Sequence, residues 1–247
     1  MNAFNKWVGG FGVIRHSEQT CERVRTLASS LVQTGRARSE EDVFEILAAA
    51  DRLTSAAMWI VVHMTYARRV DMSGGALQAA DFKQTPEGHT GGSLNVVPAY
   101  VGYLTANLLT AQTRGWILGQ GHCVAAVEAV NCLVGNLSAQ QQERYDFGEE
   151  GISRLCSDFY SYEIDFKGRA SAPLGSHVNA YTAGGVSEGG YLGFAEIQYV
   201  HMPLPGEGLV AILSDGAFEE QRGGDWAERW WRAEDCGLVA RVMILNG

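Results

Sequence analysis

Apolar residues recur at helical spacing through the first quarter of the chain. Cys21, Val24, Leu27, Leu31 and Val32 share one stripe, which predicts a helix over residues 17–35. Ser39 followed by Glu40, Glu41 and Asp42 reads as a helix start. It offers a capping hydroxyl, acids in the first turn and Asp42 at the capping-box position. This second helix continues through Phe44, Ile46, Leu47 and Ala50 to Leu53, and a third, strongly apolar and buried, is predicted at 55–69. Residues 1–75 thus read as a helical segment that carries no evident chemistry.

The pattern changes at Ser73-Gly74-Gly75, after which short apolar runs alternate with helical stretches and glycine-rich joints. Trp116-Ile117-Leu118 precedes Gly119-Gln120-Gly121-His122, Leu209-Val210-Ala211-Ile212-Leu213 precedes Ser214-Asp215-Gly216, and the run 239–245 precedes Asn246-Gly247. Short continuous apolar runs that end in polar or glycine residues predict buried parallel strands with functional loops at their carboxyl ends. Helices are predicted between them at 95–112, 123–134, 188–200 and 218–236. The fold class expected is therefore α/β, a parallel sheet flanked by helices over residues 76–247, with a helical N-terminal lead over 1–75. The sequence stops at Gly247 directly after a strand and a polar turn. A parallel strand normally leads into a covering helix. The α/β domain is thus expected to be truncated at its C-terminal side, or completed by another chain.

Composition narrows the class. In 247 residues, 46% are apolar and 19% charged, enough for a sizeable core and too apolar for general disorder. A net charge of −9 argues against a nucleic-acid grip built on phosphate contacts, but not against a small phosphorylated ligand, which needs only a few local cations. The five cysteines include no CxxC pair, and their odd number in a chain this long predicts a reducing, cytoplasmic setting. The longest apolar stretch, 56–62, is short of the roughly 20 residues of a membrane helix, so no membrane partner is expected.

Four constellations could carry chemistry. Ser214-Asp215-Gly216 and Asn246-Gly247 both end predicted strands, with Asn246 31 residues after Asp215. An Asp carboxylate and an Asn amide oxygen at neighbouring strand ends suit Mg²⁺, which keeps its other positions for phosphate and water. Gly216 would let backbone approach a phosphate. The same dipeptides also make ordinary turns, and the pattern alone leaves both readings open. Gly88-His89-Thr90-Gly91-Gly92-Ser93 and Gly119-Gln120-Gly121-His122 each set a histidine in a glycine-rich joint, where it can cap a helix, donate to a phosphate or move a proton. The fourth is Gly175-Ser176-His177 followed by Thr182-Ala183-Gly184-Gly185-Val186-Ser187-Glu188-Gly189-Gly190-Tyr191-Leu192-Gly193.

Together these motifs resemble the thiamine diphosphate (ThDP) enzymes of the transketolase superfamily, and among them the phosphoketolases. SDG…N, with Asp215 and Asn246, resembles the superfamily's GDG…N metal motif, with Ser214 in place of the first glycine. Gly88-His89-Thr90-Gly91 and Gly121-His122-Cys123 resemble its G-H-P-G and G-H-A segments, in the same order, and the G-H-W-G and G-P-G-H-G-G of phosphoketolases. The 175–195 run is similar to the phosphoketolase P-S-H…T-P-G-S-I-H-E-G-G-E-L-G-Y-A. The resemblance covers roughly residues 82–247. The sequence departs from it at Ser187, where phosphoketolases have His. It also departs at Ala217-Phe218-Glu219-Glu220-Gln221, where they have E-A-E-T-G, and at Gly102, which matches a family His.

The resemblance implies a ThDP-binding fold of the PP type and a ThDP- and Mg²⁺-dependent carbon–carbon lyase of sugar phosphates. It implies Asp215 and Asn246 as Mg²⁺ ligands, with Gly216 against the diphosphate. Gly184 and Val186 would present backbone groups to the cofactor ring, and His89, His122 and, less directly, His177 would line the substrate side. The family's activating Glu lies on a second domain that these residues do not contain, and its cofactor sits between domains, usually across a dimer interface. The chain is therefore expected to be inactive alone and to work as a homo-oligomer or with a complementary chain. Two other readings stay open: a non-catalytic subunit or interaction module that keeps the fold, and a divergent transketolase- or epimerase-like sugar-phosphate enzyme. An unrelated α/β phosphate-binding protein is a more distant alternative. Cys123 beside His122 suggests a metal pair, but no third and fourth ligand has suitable spacing, so a buried thiol is expected. Trp226, Trp230 and Trp231 are read as a packing face, and Arg68-Arg69 as partners of a helix C-terminus.

Overall fold

The structure, a computed structural model, describes residues 2–112, 114–118, 121–168, 209–214 and 240–246. The helices are α1 (Ala3–Val8), α2 (Glu18–Gln33), α3 (Glu40–Tyr66), α4 (Thr90–Thr110), α5 (Val124–Val134), α6 (Ala139–Arg144) and α7 (Glu149–Asp158). The strands are β1 (Gly115–Leu118), β2 (Leu209–Ser214) and β3 (Ala240–Asn246). The helices expected at 188–200 and 218–236, and the tryptophans Trp226, Trp230 and Trp231, lie outside the described residues.

Helix α3 organises the helical part. Ser39 caps it as expected, its Oγ accepting the Asp42 N–H at 3.1 Å. Two helices meeting near residue 54 are expected from the sequence, but the chain runs straight through as one helix of 27 residues. Neither Thr54 nor Ser55 is a Gly or Pro that would break it, and Thr54 is buried. At 1.5 Å per residue the helix is about 40 Å long, and it serves two cores. Its first half packs Val43, Phe44 and Ala48 against Ala3 and Trp7 of α1 and Cys21, Ala28 and Leu31 of α2. Its second half packs Ala57, Ile60, Val61 and Met64 against α4, α5 and α7. By length and composition α3 could cross a bilayer; here ten of its side chains are buried against neighbouring elements. On α2 the buried stripe is Cys21, Ala28 and Leu31, while Leu27, at the stripe's edge, is exposed.

The second core spans the change of pattern at residue 75. Val96, Val97, Tyr100 and Val101 of α4, Ala126 and Val130 of α5, and Ile152 and Leu155 of α7 join the α3 residues and Ile212 of β2. Helix α4 begins at Thr90, earlier than the expected 95, because His89 supplies its cap. Pro98 lies inside it on an exposed position, where one backbone bond is lost to solvent. Helix α5 ends at Gly135 in the left-handed region, φ 69°, and the Asn136 N–H donates back to the Asn131 carbonyl at 2.8 Å. That six-to-one closure needs the glycine.

The three strands pair in parallel in the order β1-β2-β3. Leu118 is the partner of Ile212, and Ser214 is the partner of Asn246. Their carboxyl ends therefore lie along one edge of the sheet. β1 leads into a single 3₁₀ turn, Gly121–Cys123, and then α5.

Candidate functional site

Two of the sequence-selected histidines meet at the sheet's carboxyl side. His122 follows β1 in the 3₁₀ turn, and His89 stands at the N-terminus of α4. Their ring centroids are 4.9 Å apart and the planes cross at 81°, an edge-to-face pair. His89 Nδ1 accepts the Gly92 N–H at 3.1 Å, which caps α4 and fixes one face of the ring. Because a ring nitrogen that accepts an N–H carries no proton, the tautomer of the neutral His89 ring has its proton on Nε2. Burial first, and next the electrostatic influence of neighbouring His89, hold His122 below the usual histidine range. His122 is therefore a neutral imidazole at pH 7, able to accept a proton or donate one hydrogen bond.

The floor beneath the pair is Cys123, fully buried, with Sγ 4.0 Å from His89 Nδ1. Burial pushes its thiol up to about 12, so it is protonated. Gly92 makes this close approach possible. A Cβ there would come within 2.4 Å of His89 Nδ1 and 2.7 Å of Cys123 Sγ. Gly88, at φ 119°, would similarly place a Cβ 2.6 Å from the Tyr160 ring. Around the thiol lie two buried hydroxyls: Ser93 Oγ, which has no partner other than the thiol among the described residues, and Tyr160 OH, which has none there. Ser93 Oγ neighbours the thiol and pulls its pKa down slightly, while burial raises the Tyr160 phenol. Buried polar groups are normally paired, so this corner holds unused hydrogen-bonding capacity.

The second half of the expected site is visible only as strand register. Asn246 pairs with Ser214 at the carboxyl ends of β3 and β2, and Asp215 is the residue that follows Ser214. Asp215 and Gly216 themselves, with His177, Gly184, Val186 and Ser187, lie outside the described residues. Tyr160 and the proximity of His89 to Cys123 are not among the sequence expectations, and Ser93 stands there only as the last residue of the Gly88–Ser93 motif. The adjacent pair Gly91-Gly92 was the available signal, since a second glycine in a first helical turn marks a close approach. Lys83, the nearest sequence cation to this motif, is held structurally. Its Nζ donates to the carbonyls of Met64 at 2.6 Å and Phe159 at 2.7 Å, and burial lowers it to about 8. Arg69 lies 3.9 Å from both Asp81 and Glu149, and its role is thus in side-chain pairs after α3.

Comparison with known proteins gives this arrangement a family. The XFP N-terminal domain family matches residues 41–247, which is most of the chain. The chain belongs to that family. A curated relative named "Probable phosphoketolase", from Schizosaccharomyces pombe, is 26% identical over 238 residues. That alignment covers 92% of this chain but 26% of the relative, so the chain spans about a quarter of the relative's length. No solved structure matches it. The likeness read from the glycine-rich histidine motifs and the SDG…N pair is therefore shown at the level of family: this is the N-terminal part of the phosphoketolase group. Helices α1 and α2 precede the matched region, which starts one residue into α3.

Proposed function

We propose that this chain is the diphosphate-binding part of a ThDP- and Mg²⁺-dependent, phosphoketolase-like lyase that cleaves a carbon–carbon bond of a sugar phosphate. The observation that carries the reading is the Ser214–Asn246 register within the XFP-matched region. It makes Asn246 a strand-end neighbour of the residue that precedes Asp215, as a shared metal site requires. The donor set fits: a carboxylate and an amide oxygen are hard ligands that suit Mg²⁺ and leave positions for diphosphate oxygens. The fold class that goes with this reading is the PP-type ThDP-binding domain.

In this account Asp215 and Asn246 hold the metal, Gly216 faces the diphosphate, and Gly184 and Val186 face the ring. When bound, ThDP supplies the carbon nucleophile and the electron sink that C–C cleavage needs. The chain's own residues position and move protons. His122, neutral at pH 7, can take a proton from a sugar hydroxyl as the bond breaks. His89, its Nδ1 held by the Gly92 N–H, directs Nε2–H outward as a hydrogen-bond donor to substrate oxygen. His177 is assigned to the same wall. The edge-to-face contact holds both rings in one orientation, which lowers the ordering cost at the reacting centre.

These residues span about a quarter of the relative's length, so in this reading the rest of the site, an activating Glu included, lies outside them; they are expected to be inactive on their own and to work within a homo-oligomer or with a complementary chain, in the cytoplasm. The test is sugar-phosphate cleavage measured with the pure chain and after adding a chain that carries the Glu domain. Restoration by the second chain, lost in His122→Ala, supports the reading, and turnover by the pure chain contradicts the half-site. Ser187, which replaces a family His, favours a second reading, a module that keeps the fold without catalysis. No activity with any complementary chain, with ThDP still bound, would select it.

A further inference from the structure

We propose that His89, His122 and Cys123 form a binding site for a thiophilic divalent metal ion, with Zn²⁺ as the biological example. This site is separate from the magnesium site assigned to the strand ends. One ligand atom from each residue lies within 4.8 Å of the other two. His89 Nδ1 and Cys123 Sγ are 4.0 Å apart, against roughly 3.6 Å for ligands on a tetrahedral zinc with ordinary Zn–N and Zn–S lengths. Binding would replace the Gly92 N–H by the ion at His89 Nδ1, and bringing the widest pair, within 4.8 Å, to ligand spacing takes a shift of about 1 Å by the rings on the more exposed side of the cluster. Two imidazoles and one thiolate select zinc-like ions over Mg²⁺ or Ca²⁺, which prefer oxygen. The mouth is open at His89, which is exposed, and closed at Cys123, which is fully buried. An ion can therefore enter and keep a fourth position for water.

A second observation points the same way. Ser93 Oγ is 1% exposed, lies in hydrogen-bonding contact with the thiol and has no other partner among the described residues. When the ion binds, the Cys123 S–H bond breaks, the proton passes to solvent and the sulfur electron pair bonds the metal. The resulting thiolate is a stronger acceptor than the thiol, and the Ser93 hydroxyl beside it becomes its donor. Such outer partners commonly change metal affinity by about 10–100-fold. The local spacing along the chain hid this site, because His89 is 34 residues from Cys123. On the function proposed above, an ion here would occupy both imidazoles and block them from substrate. The site itself does not depend on that function.

The test is a Co²⁺ titration of the full chain followed by absorbance, then displacement by Zn²⁺. The expected result is one equivalent bound, with a thiolate-to-cobalt charge-transfer band that Zn²⁺ abolishes. Cys123→Ala should remove the band. His89→Asn, which preserves a capping side chain, should weaken binding at least tenfold, and Ser93→Ala about tenfold. ThDP binding with Mg²⁺ should survive Cys123→Ala, so failure of the metal site and failure of the ThDP reading are separable. Absence of the band in the wild-type chain, or its persistence in Cys123→Ala, would overturn the proposal. Should Cys123→Ala not fold, undiminished Co²⁺ affinity in both His89→Asn and His122→Gln overturns it equally.

Discussion

Gly92→Ala sets two physical effects against each other at the centre of the site. Alanine is favoured over glycine in a helix by about 1 kcal/mol, and propensity alone predicts stabilisation. The added methyl, however, would lie 2.4 Å from His89 Nδ1 and 2.7 Å from Cys123 Sγ. Cys123 is fully buried and has little room to retreat, and overpacking of this kind costs about 1–3 kcal/mol. The His89 ring can swing toward solvent, but that breaks its 3.1 Å bond to the Gly92 N–H, a cap worth about 1 kcal/mol. The opposing terms leave Gly92→Ala destabilised by about 1–3 kcal/mol. Gly91 is the control: it is one residue away, and a Cβ there meets nothing within 4 Å among the described residues. Gly91→Ala should therefore be stabilised by up to about 1 kcal/mol. Urea unfolding followed by far-ultraviolet circular dichroism reads both, with the wild-type slope as a check on two-state behaviour. A Gly92→Ala chain at least as stable as wild type would refute the close packing of His89 on Cys123.

Two further expectations follow from charged groups outside the site. Burial raises Glu128 on α5 from its ordinary 4.5 to about 7. The folded state then holds a proton that the unfolded chain has released, so stability falls as pH rises from about 4.5 to about 7 and is level above. At 1.36 kcal/mol per pH unit the fall is on the order of 3 kcal/mol, and Glu128→Gln should flatten it. A variant with an unchanged pH profile from 4 to 8 would remove Glu128 as the cause. Asp158 is nearly buried, and its Oδ2 accepts from Arg144 Nε at 2.8 Å, Arg144 Nη2 at 2.7 Å and Tyr145 OH at 2.8 Å. Asp158→Ala removes the carboxylate that accepts from the buried Tyr145 hydroxyl, while half-exposed Arg144 can turn to water, so the cost should be about 2–3 kcal/mol. A loss under about 0.5 kcal/mol in urea unfolding would contradict the network.

The sequence made the strands and caps legible and left the meetings between distant residues hidden. Residues 209–213 form a short apolar run closed by a polar turn, and they appear as β2 (Leu209–Ser214). Ser39 announced the start of α3 because capping is local chemistry, read within three residues. The end of that helix was misplaced, because apolar periodicity does not reveal whether Thr54 interrupts a helix or sits buried inside it. Helices α1, α6 and α7 were not expected. α1 and α6 have six residues each, too short for a periodic stripe to stand out. His89 and His122 could each be nominated by their glycines. Their 4.9 Å contact depends on how α4 and the turn after β1 pack, and no spacing rule carries that. Cys123 shows the same limit: ligand rules that search nearby positions passed over a histidine 34 residues away. The place of Asn246 at a strand end is legible in the sequence, whereas its pairing with Ser214 is a property of the sheet register.

The central claim is that this chain holds ThDP through a metal at Asp215 and Asn246, and calorimetric titration tests it most directly. The full chain is titrated with ThDP in the presence and absence of Mg²⁺, beside Asp215→Ala. The account predicts Mg²⁺-dependent binding at one site that disappears in Asp215→Ala. Binding that is indifferent to Mg²⁺, or retained in Asp215→Ala, would contradict it.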